Sequence, residues 1–482
     1  MIMARQKQLK APPRKTKIVC TIGPASSTPA VIRQLLEEGM NVARINASHG
    51  SVEEHSRYLE ALRAEAARMK TPLAILLDLP GPKDRTGKVK KGGVRLKEGC
   101  EFTLTTREVL GDEEQVSVDL PGLPAHVKLG QEILLDDGHI KLEVTSINHE
   151  DVKTKVIIGG RLGDNKGVSI PGVTWEAEAV TQEDWRQLEF AAREEVDFVG
   201  LSFVSKCEEV NRVRDFLVHH NSPAKIIAKI ERPEALDNFD EILEAADGVM
   251  VARGDLGVQI PIQKVPIVQK ELISECNRVG KPVIVATQML ESMVDSPLPT
   301  RAEATDVANA IFDGADAVML SEETAIGHYC PEAVRMMSLI ALEAEAALPY
   351  EEILAARGKD LAPLTDDAIS YAACHTARQL GAKVVVAYTA SGSTARRVSK
   401  YRPQTPIMAV TPSESTQRQL SLSWGVTALK VGEPKQVISM FKQAAGAVRR
   451  AGLGNKGDLV VVTAGLPIGK PGTTNMLKVE KI

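Results

Sequence analysis

Aromatic residues are scarce in this chain, at 4% of 482 residues, so its cores must be built from Val, Ile, Leu and Ala. That composition suits parallel sheets covered by helices. Cysteines are few and scattered: Cys20, Cys100, Cys207, Cys276, Cys330 and Cys374 form no CxxC pair. A disulfide scaffold and a zinc knuckle are excluded, and a reducing, cytoplasmic setting is expected. No apolar run approaches membrane-spanning length, and the polar start MIMARQKQLKAPPRKTK lacks the apolar stretch of a secretory signal. Neither sign of charge dominates: the formal net charge is -4 with 25% charged residues. Neither nucleic acid nor membrane is therefore expected as a partner. The histidines are too dispersed to form a metal cluster. The length exceeds one core and predicts roughly two to four domains.

What is present follows a rhythm. Residues 17–23 read as a buried strand. Residues 28–39 follow as a helix with a threonine N-cap, a proline at its first position and a closing glycine. A strand over 41–49, a helix over 52–69 and a strand over 73–78 complete βαβαβ, the signature of a parallel sheet. From 83 to 172 the pattern becomes short polar–apolar alternations broken by Asp-Gly turns, an inserted β domain. The β/α rhythm resumes at 181, with strands predicted over 198–204, 225–231, 248–255, 282–288 and 317–321. Eight strand–helix units close a TIM barrel. The rival, an open doubly wound sheet, lacks its glycine-rich dinucleotide turn after the first strand. The predicted organisation is an arm (1–14), a (β/α)8 barrel (15–82 and 173–348), an inserted β-barrel lid (83–172) and a C-terminal α/β domain (358–482).

A TIM barrel carries its chemistry at the C-terminal strand ends. The stretch 225–257, KIIAKIERPEALDNFDEILEAADGVMVARGDLG, reads as strand, helix, strand. Lys229 and Glu231 end the first strand; Arg253 and Asp255 end the second. Side chains two apart in a strand share a face. Two carboxylates suit a hard divalent cation such as Mg²⁺, and an ammonium beside it suits a phosphoryl or enolate oxygen. The bland reading is a pair of salt bridges. The other ends add Arg44, Asn46, Ser48, Asp78, Ser202, Thr287, Gln288, Ser321 and Glu323. This concentration of charge after apolar strands points to an anionic ligand held by a metal and several cations, with phosphate foremost. A Mg²⁺-dependent pyruvate or enolate aldolase or lyase would look similar to this point.

The stretches TKIVCTIGPAS, ARINASHG, KGVSIPG, DGVMVARGDLGVQIP, KPVIVATQMLESM, PTRAEATDVANAIFDGADAVMLSEETAIG and TASGSTARRVSKYRP resemble the pyruvate kinase family, over nearly the whole chain. The resemblance implies phosphoryl transfer from phosphoenolpyruvate to ADP, the last step of glycolysis. It also implies an allosteric, cytoplasmic homotetramer. It implies that Glu231 and Asp255 hold Mg²⁺, for which Mn²⁺ can substitute, and that Lys229 and Arg44 meet the phosphoryl group. Gly254, Asp255 and Thr287 would hold the substrate carboxylate, with Thr287 on the route that protonates the enol carbon. Asn46, His49, Arg85 and Lys166 would surround the nucleotide phosphates.

The chain departs from the family after strand three. The family's DTKGPEIRTG is here DLPGPKDRTG, residues 78–87. A potassium-ligating threonine has become Leu79, and a glutamate has become Lys83. The expectation is that Lys83 fills the K⁺ position beside Asn46, Ser48 and Asp78, so that K⁺ is not required. Its rival is a Lys83 that faces solvent. Arg232 replaces an asparagine after KIE, and Glu322 a glycine. The loop Thr389, Ser391, Gly392, Ser393, Thr394 precedes an arginine-bearing helix, a setting that binds phosphate. In the family this position holds a sugar-phosphate or nucleotide effector; a simple N-cap is the alternative. The chain stops soon after this domain, so the extra phosphohistidine-type domain of some bacterial members is expected to be absent.

Overall fold

The computed structural model describes residues 14–82, 84–120, 122–136, 138–172, 180–359, 361–433, 436–467 and 472–482. Lys83 and residues 1–13 of the arm lie outside the described residues. No described helix is long and apolar enough to cross a membrane.

Eight strands close a barrel in chain order: β1 Lys17–Ile22, β2 Val42–Asn46, β3 Ala74–Asp78, β4 Phe198–Leu201, β5 Lys225–Ile230, β6 Gly248–Ala252, β7 Val283–Ala286 and β8 Ala317–Leu320. The strands of β1–β8 are short and almost wholly buried, as parallel strands covered on both faces must be. The first helix forms where expected, over Pro29–Glu38. Thr28 Oγ1 accepts from Val31 N at 3.4 Å, and Gly39 closes it at φ 116°.

One expectation needs correction. Arg253 and Asp255 do not end a strand. β6 stops at Ala252, and Arg253–Gln259 is a helix. Alternation of faces along a strand therefore says nothing about this pair. After the polar Arg253-Gly254-Asp255, Leu256 is fully buried on the helix's inward face.

By packing, the chain falls into two compact units. One comprises residues 46–52 and 77–272 and holds the inserted segment. There, a six-stranded sheet and a two-stranded ribbon enclose a core of Phe102, Leu104, Val116, Ile133, Leu135 and Leu142. The other comprises residues 1–45, 53–76 and 273–482. Its C-terminal sheet contains β9 Val384–Tyr388, β10 Ile407–Thr411, β11 Val426–Lys430, β12 Leu459–Gly465 and β13 Thr474–Lys481, in the order β11-β10-β9-β12-β13. Only β13 runs antiparallel to its neighbour.

Candidate active site

In the unit that carries β5, Lys229 is the hub. Its Nζ lies 3.0 Å from Glu231 Oε1 and 3.2 Å from Asp78 Oδ1, and donates to Ser202 Oγ at 2.7 Å. Lys229 and Glu231 thus do share a side at the strand end. Ser202 donates in turn to Leu79 O at 2.7 Å, and Phe203 N donates to Glu231 Oε2 at 2.7 Å. Glu231 is fully buried. Burial raises its pKa, the Lys229 ammonium opposes the rise, and the nearby Asp255 carboxylate adds to it. Gly200 is required here, because a Cβ at that position would stand 2.8 Å from Asp78 Oδ1.

Two carboxylates that repel one another in a buried setting fit a divalent cation. Among the described residues no cluster of three or more His, Cys, Asp or Glu could hold a metal. Mg²⁺ is served well by one or two carboxylates, with substrate oxygens and water completing its shell. The donor set therefore fits Mg²⁺ and does not fit a protein-caged structural metal.

Of the residues expected around a K⁺ position, Asn46, Ser48, Asp78 and Leu79 are described. Asn46 Oδ1 accepts from Ser48 N at 3.2 Å, and Asp78 O accepts from Ala47 N at 2.9 Å. Leu79 is buried, and both its backbone groups are used, by Gly200 O and Ser202 Oγ. Lys83 lies outside the described residues. Of the nucleotide candidates, His49 sits in a turn with its N–H on Asn46 O at 3.3 Å. Arg85 Nη1 donates to Asn165 O at 2.9 Å, and Lys166 Nζ pairs with Asp136 Oδ1 at 2.7 Å. Lys166 must exchange that partner before it can meet a phosphate.

A narrow cleft opens beside Asp255, lined by Asp84, Ser169, Phe203 and Arg232 among others. Burial pushes Asp84 up to about 6, Arg232 opposing and Asp119 adding to the rise. Arg232 lies over the Phe203 ring at 5.2 Å. Of the residues lining this cleft, Arg232 had stood out in the sequence as a departure from the family pattern.

In the other unit, Arg44 is buried in β2 and its Nη1 donates to Thr21 Oγ1 at 2.9 Å. Thr287 and Gln288, just past β7, take φ 71° and 54°. Two consecutive non-glycine residues in the left-handed region store strain, which clusters at functional sites. Thr287 Oγ1 donates to Ala286 O at 2.7 Å. Buried Glu323 braces the loop that follows, accepting from Leu290 N at 3.0 Å and Ser321 N at 2.6 Å.

The C-terminal loop enters the helix Ser393–Lys400 through Gly392 at φ 83°, with no side-chain cap. Its hydroxyls are not spent as an N-cap. Thr394 Oγ1 instead meets Thr474 Oγ1 at 2.8 Å, Thr389 is buried, and Arg396 reaches back to Ser391 O at 3.4 Å.

Two sequence families account for the chain: residues 13–334 match "Pyruvate kinase, barrel domain" and residues 367–480 match "Pyruvate kinase, alpha/beta domain". It is 49% identical over 472 residues to a pyruvate kinase of Geobacillus stearothermophilus, covering 97% of this chain and 80% of that protein. A pyruvate kinase of Staphylococcus aureus (strain MRSA252) is 48% identical over 471 residues, with the same coverage. The fold superposes with a TM-score of 0.90 on the crystal structure of a pyruvate kinase from Cryptosporidium parvum, 36% identical over 97% of this chain and 96% of that one. Shared sequence and shared architecture run the length of the chain, which therefore belongs to the pyruvate kinase family of phosphotransferases.

Proposed function

We propose that phosphoryl transfer from phosphoenolpyruvate to ADP is carried out around the Lys229 hub. The observation that carries the reading is a nearly buried ammonium flanked by two carboxylates and a serine hydroxyl, in a chain of this family. Arg44 grips the phosphoryl oxygens. Lys229 faces the oxygen on which charge gathers as the phosphorus–oxygen bond breaks. The amides of Gly254 and Asp255 and the hydroxyl of Thr287 receive the substrate carboxylate, and the strained turn at Thr287 orients the group that serves the enol carbon. Glu231 and Asp255 are the residues to hold Mg²⁺ or Mn²⁺. Bound there, the ion supplies charge neutralisation to the carboxylate, enolate and phosphoryl oxygens. Asn46, His49, Arg85 and Lys166 take the nucleotide phosphates, and closure of residues 83–172 over the site excludes water. The domain limits proposed are those read from the sequence, with 15–82 and 173–348 as barrel and 358–482 as effector domain.

The finer proposals are independence from K⁺, with Lys83 supplying the charge; a phosphorylated effector, sugar phosphate or nucleotide, at Thr389, Ser391, Gly392, Ser393 and Thr394; a homotetramer; and a cytoplasmic setting. The buried Leu79, with no side-chain oxygen to offer a monovalent ion, supports the first. The uncapped turn at Gly392 supports the second. The aldolase or lyase reading has no observation in its favour. Pyruvate release coupled to lactate dehydrogenase tests the whole. ADP-dependent turnover with phosphoenolpyruvate and Mg²⁺ is expected, and its absence overturns the reaction. The same assay in Tris, with tetramethylammonium chloride exchanged for KCl at constant ionic strength, should show a flat response. Strong activation by KCl overturns the role of Lys83.

A further inference from the structure

The chain leaves the barrel for the inserted segment through residues 79–82, and after its return the helix Gln182–Arg193 begins behind Thr181. One fully buried carboxylate, Asp184, touches both passages. Its Oδ2 accepts from Thr181 N at 2.8 Å and Thr181 Oγ1 at 2.7 Å, closing a capping box at the start of the helix. The box uses one carboxylate oxygen. The other, Oδ1, accepts from Gly81 N at 3.0 Å, 103 residues back along the chain. Pro80 and Pro82 flank Gly81 and carry no backbone N–H, so the single donor of Pro80-Gly81-Pro82 is spent on Asp184. A helix cap has no need of that second bond.

Gly81 passes the hold on to the Lys229 hub. It takes φ 66°, and a Cβ there would stand 2.8 Å from Ser202 Cβ and 2.9 Å from Phe203 Cδ2, an approach open to glycine alone. Ser202 Oγ receives Lys229 Nζ and donates to Leu79 O, two residues before Gly81. Phe203, itself at φ 55°, gives its N–H to Glu231. Contact is therefore continuous from Asp184 through Gly81 and Ser202 to Lys229. We infer that Asp184 is a positioning residue for phosphoryl transfer. It pins both connections of segment 83–172, so that Arg85 and Lys166 of that segment meet the nucleotide phosphates in register with Lys229. This rests on the reaction proposed above and adds to it a residue that touches neither substrate nor metal.

Steady-state kinetics of the full chain test it, in the coupled pyruvate assay. Asp184→Asn keeps the size of the side chain but turns an NH2 group towards one of the donors. KM for ADP should rise roughly tenfold or more, the loss of one hydrogen bond to a charged group, with KM for phosphoenolpyruvate changed far less. Gly81→Ala, which leaves the cap intact and forces the connection off Ser202, should raise KM for ADP as well. Thr181→Ala removes a hydroxyl from the same cap and spares the Gly81 bond; it should lower the thermal midpoint and leave KM for ADP alone. Circular dichroism checks folding, and if one of the first two variants does not fold the other decides. Hydrogen exchange gives a readout apart from turnover, because Gly81 alone reports for residues 80–82. Its amide should be protected in the parent, and exchange there at the rate of an open loop overturns the inference whatever the variants do. An unchanged KM for ADP in folded Asp184→Asn or Gly81→Ala, or an equal rise in Thr181→Ala, overturns it and leaves the reaction standing. A parent without ADP-dependent turnover overturns the reaction and this role with it.

Discussion

Lys229→Met removes the ammonium at the hub and little else, because methionine nearly preserves the volume of the apolar stem. The parent side chain is almost buried, 3.0 Å from Glu231 Oε1 and 3.2 Å from Asp78 Oδ1. In such a site two unit charges about 4 Å apart interact by about 4 kcal/mol at an effective dielectric of about 20. In the proposed reaction the ammonium meets a comparable charge on the enolate and phosphoryl oxygens as the bond breaks. Losing that interaction in the transition state alone corresponds to about a thousandfold fall in turnover, at about 1.4 kcal/mol per decade. The coupled pyruvate assay at saturating substrates and Mg²⁺ reads it directly. The fall should appear in kcat with KM for phosphoenolpyruvate changed far less. Turnover within tenfold of the parent, in a variant whose circular dichroism is intact, would refute the assignment. A change confined to KM would also refute it, by making Lys229 a ground-state binder.

Ser202→Ala should lower kcat roughly tenfold, since the hydroxyl holds the Lys229 ammonium at 2.7 Å and hydrogen bonds to charged groups contribute about 1.5–3 kcal/mol; Ser202→Thr, if it folds, should restore part of the loss. Asp84 gives a pH signature. Burial lifts its pKa from 3.8 to about 6, so the stabilising contribution of its protonated form is complete below about pH 4 and lost as pH rises through about 6. Asp84→Asn should match the parent near pH 4 in urea unfolding and exceed it above pH 6, by at most about 2 kcal/mol after allowance for solvent screening; a difference that does not vary with pH would count against the argument. Asp316→Ala strands Arg402, which is 4% exposed, and should destabilise its unit by about 3–5 kcal/mol in denaturant titrations followed by tryptophan fluorescence. An unchanged midpoint would show that the pair contributes nothing net.

The barrel was legible because its strands are continuous apolar runs and its helices carry their own stop signals, as at Thr28 and Gly39. The inserted sheets were legible for the opposite reason: Ile140–Ile147 and Asp151–Ile158 alternate buried and exposed along their length. Two C-terminal strands carry neither signal. β11 (VTALK) and β13 (TNMLKVEK) lie at the sheet's two edges with much of their length exposed, so neither shows a buried run. The helix at Arg253 was not foreseen because barrel strands end in polar residues, and Arg253-Gly254-Asp255 reads equally well as such an end. Of the candidate site, charge at the strand ends pointed to Lys229 and Glu231, and the family motif supplied most of the rest. What could not be read is geometry that depends on partners far away in sequence. Ser202 stood in the sequence as one more polar strand end, and only its contact with Lys229 gives it a task. The left-handed pair Thr287–Gln288 has no compositional mark, since neither residue favours positive φ.

Asp316 binds more than Arg402. Its two carboxylate oxygens also accept from Trp424 N at 3.2 Å and Val283 N at 3.1 Å, and its carbonyl accepts from Lys17 N at 2.8 Å. The bottoms of β1, β7 and β8 therefore share one anchor with the segment that leads into β11. This limits how the gene can be recombined. A chimera that replaces residues 358–482 with those of a relative keeps the hydrogen-bonded ion pair on Asp316 only if the incoming sequence supplies a guanidinium at position 402. A barrel expressed without that segment would lose the guanidinium 2.9 Å from Asp316 and the Trp424 amide that donates to it. Crossover points that look permissive by chain length alone should thus fail or succeed on the identity of a single residue outside the barrel.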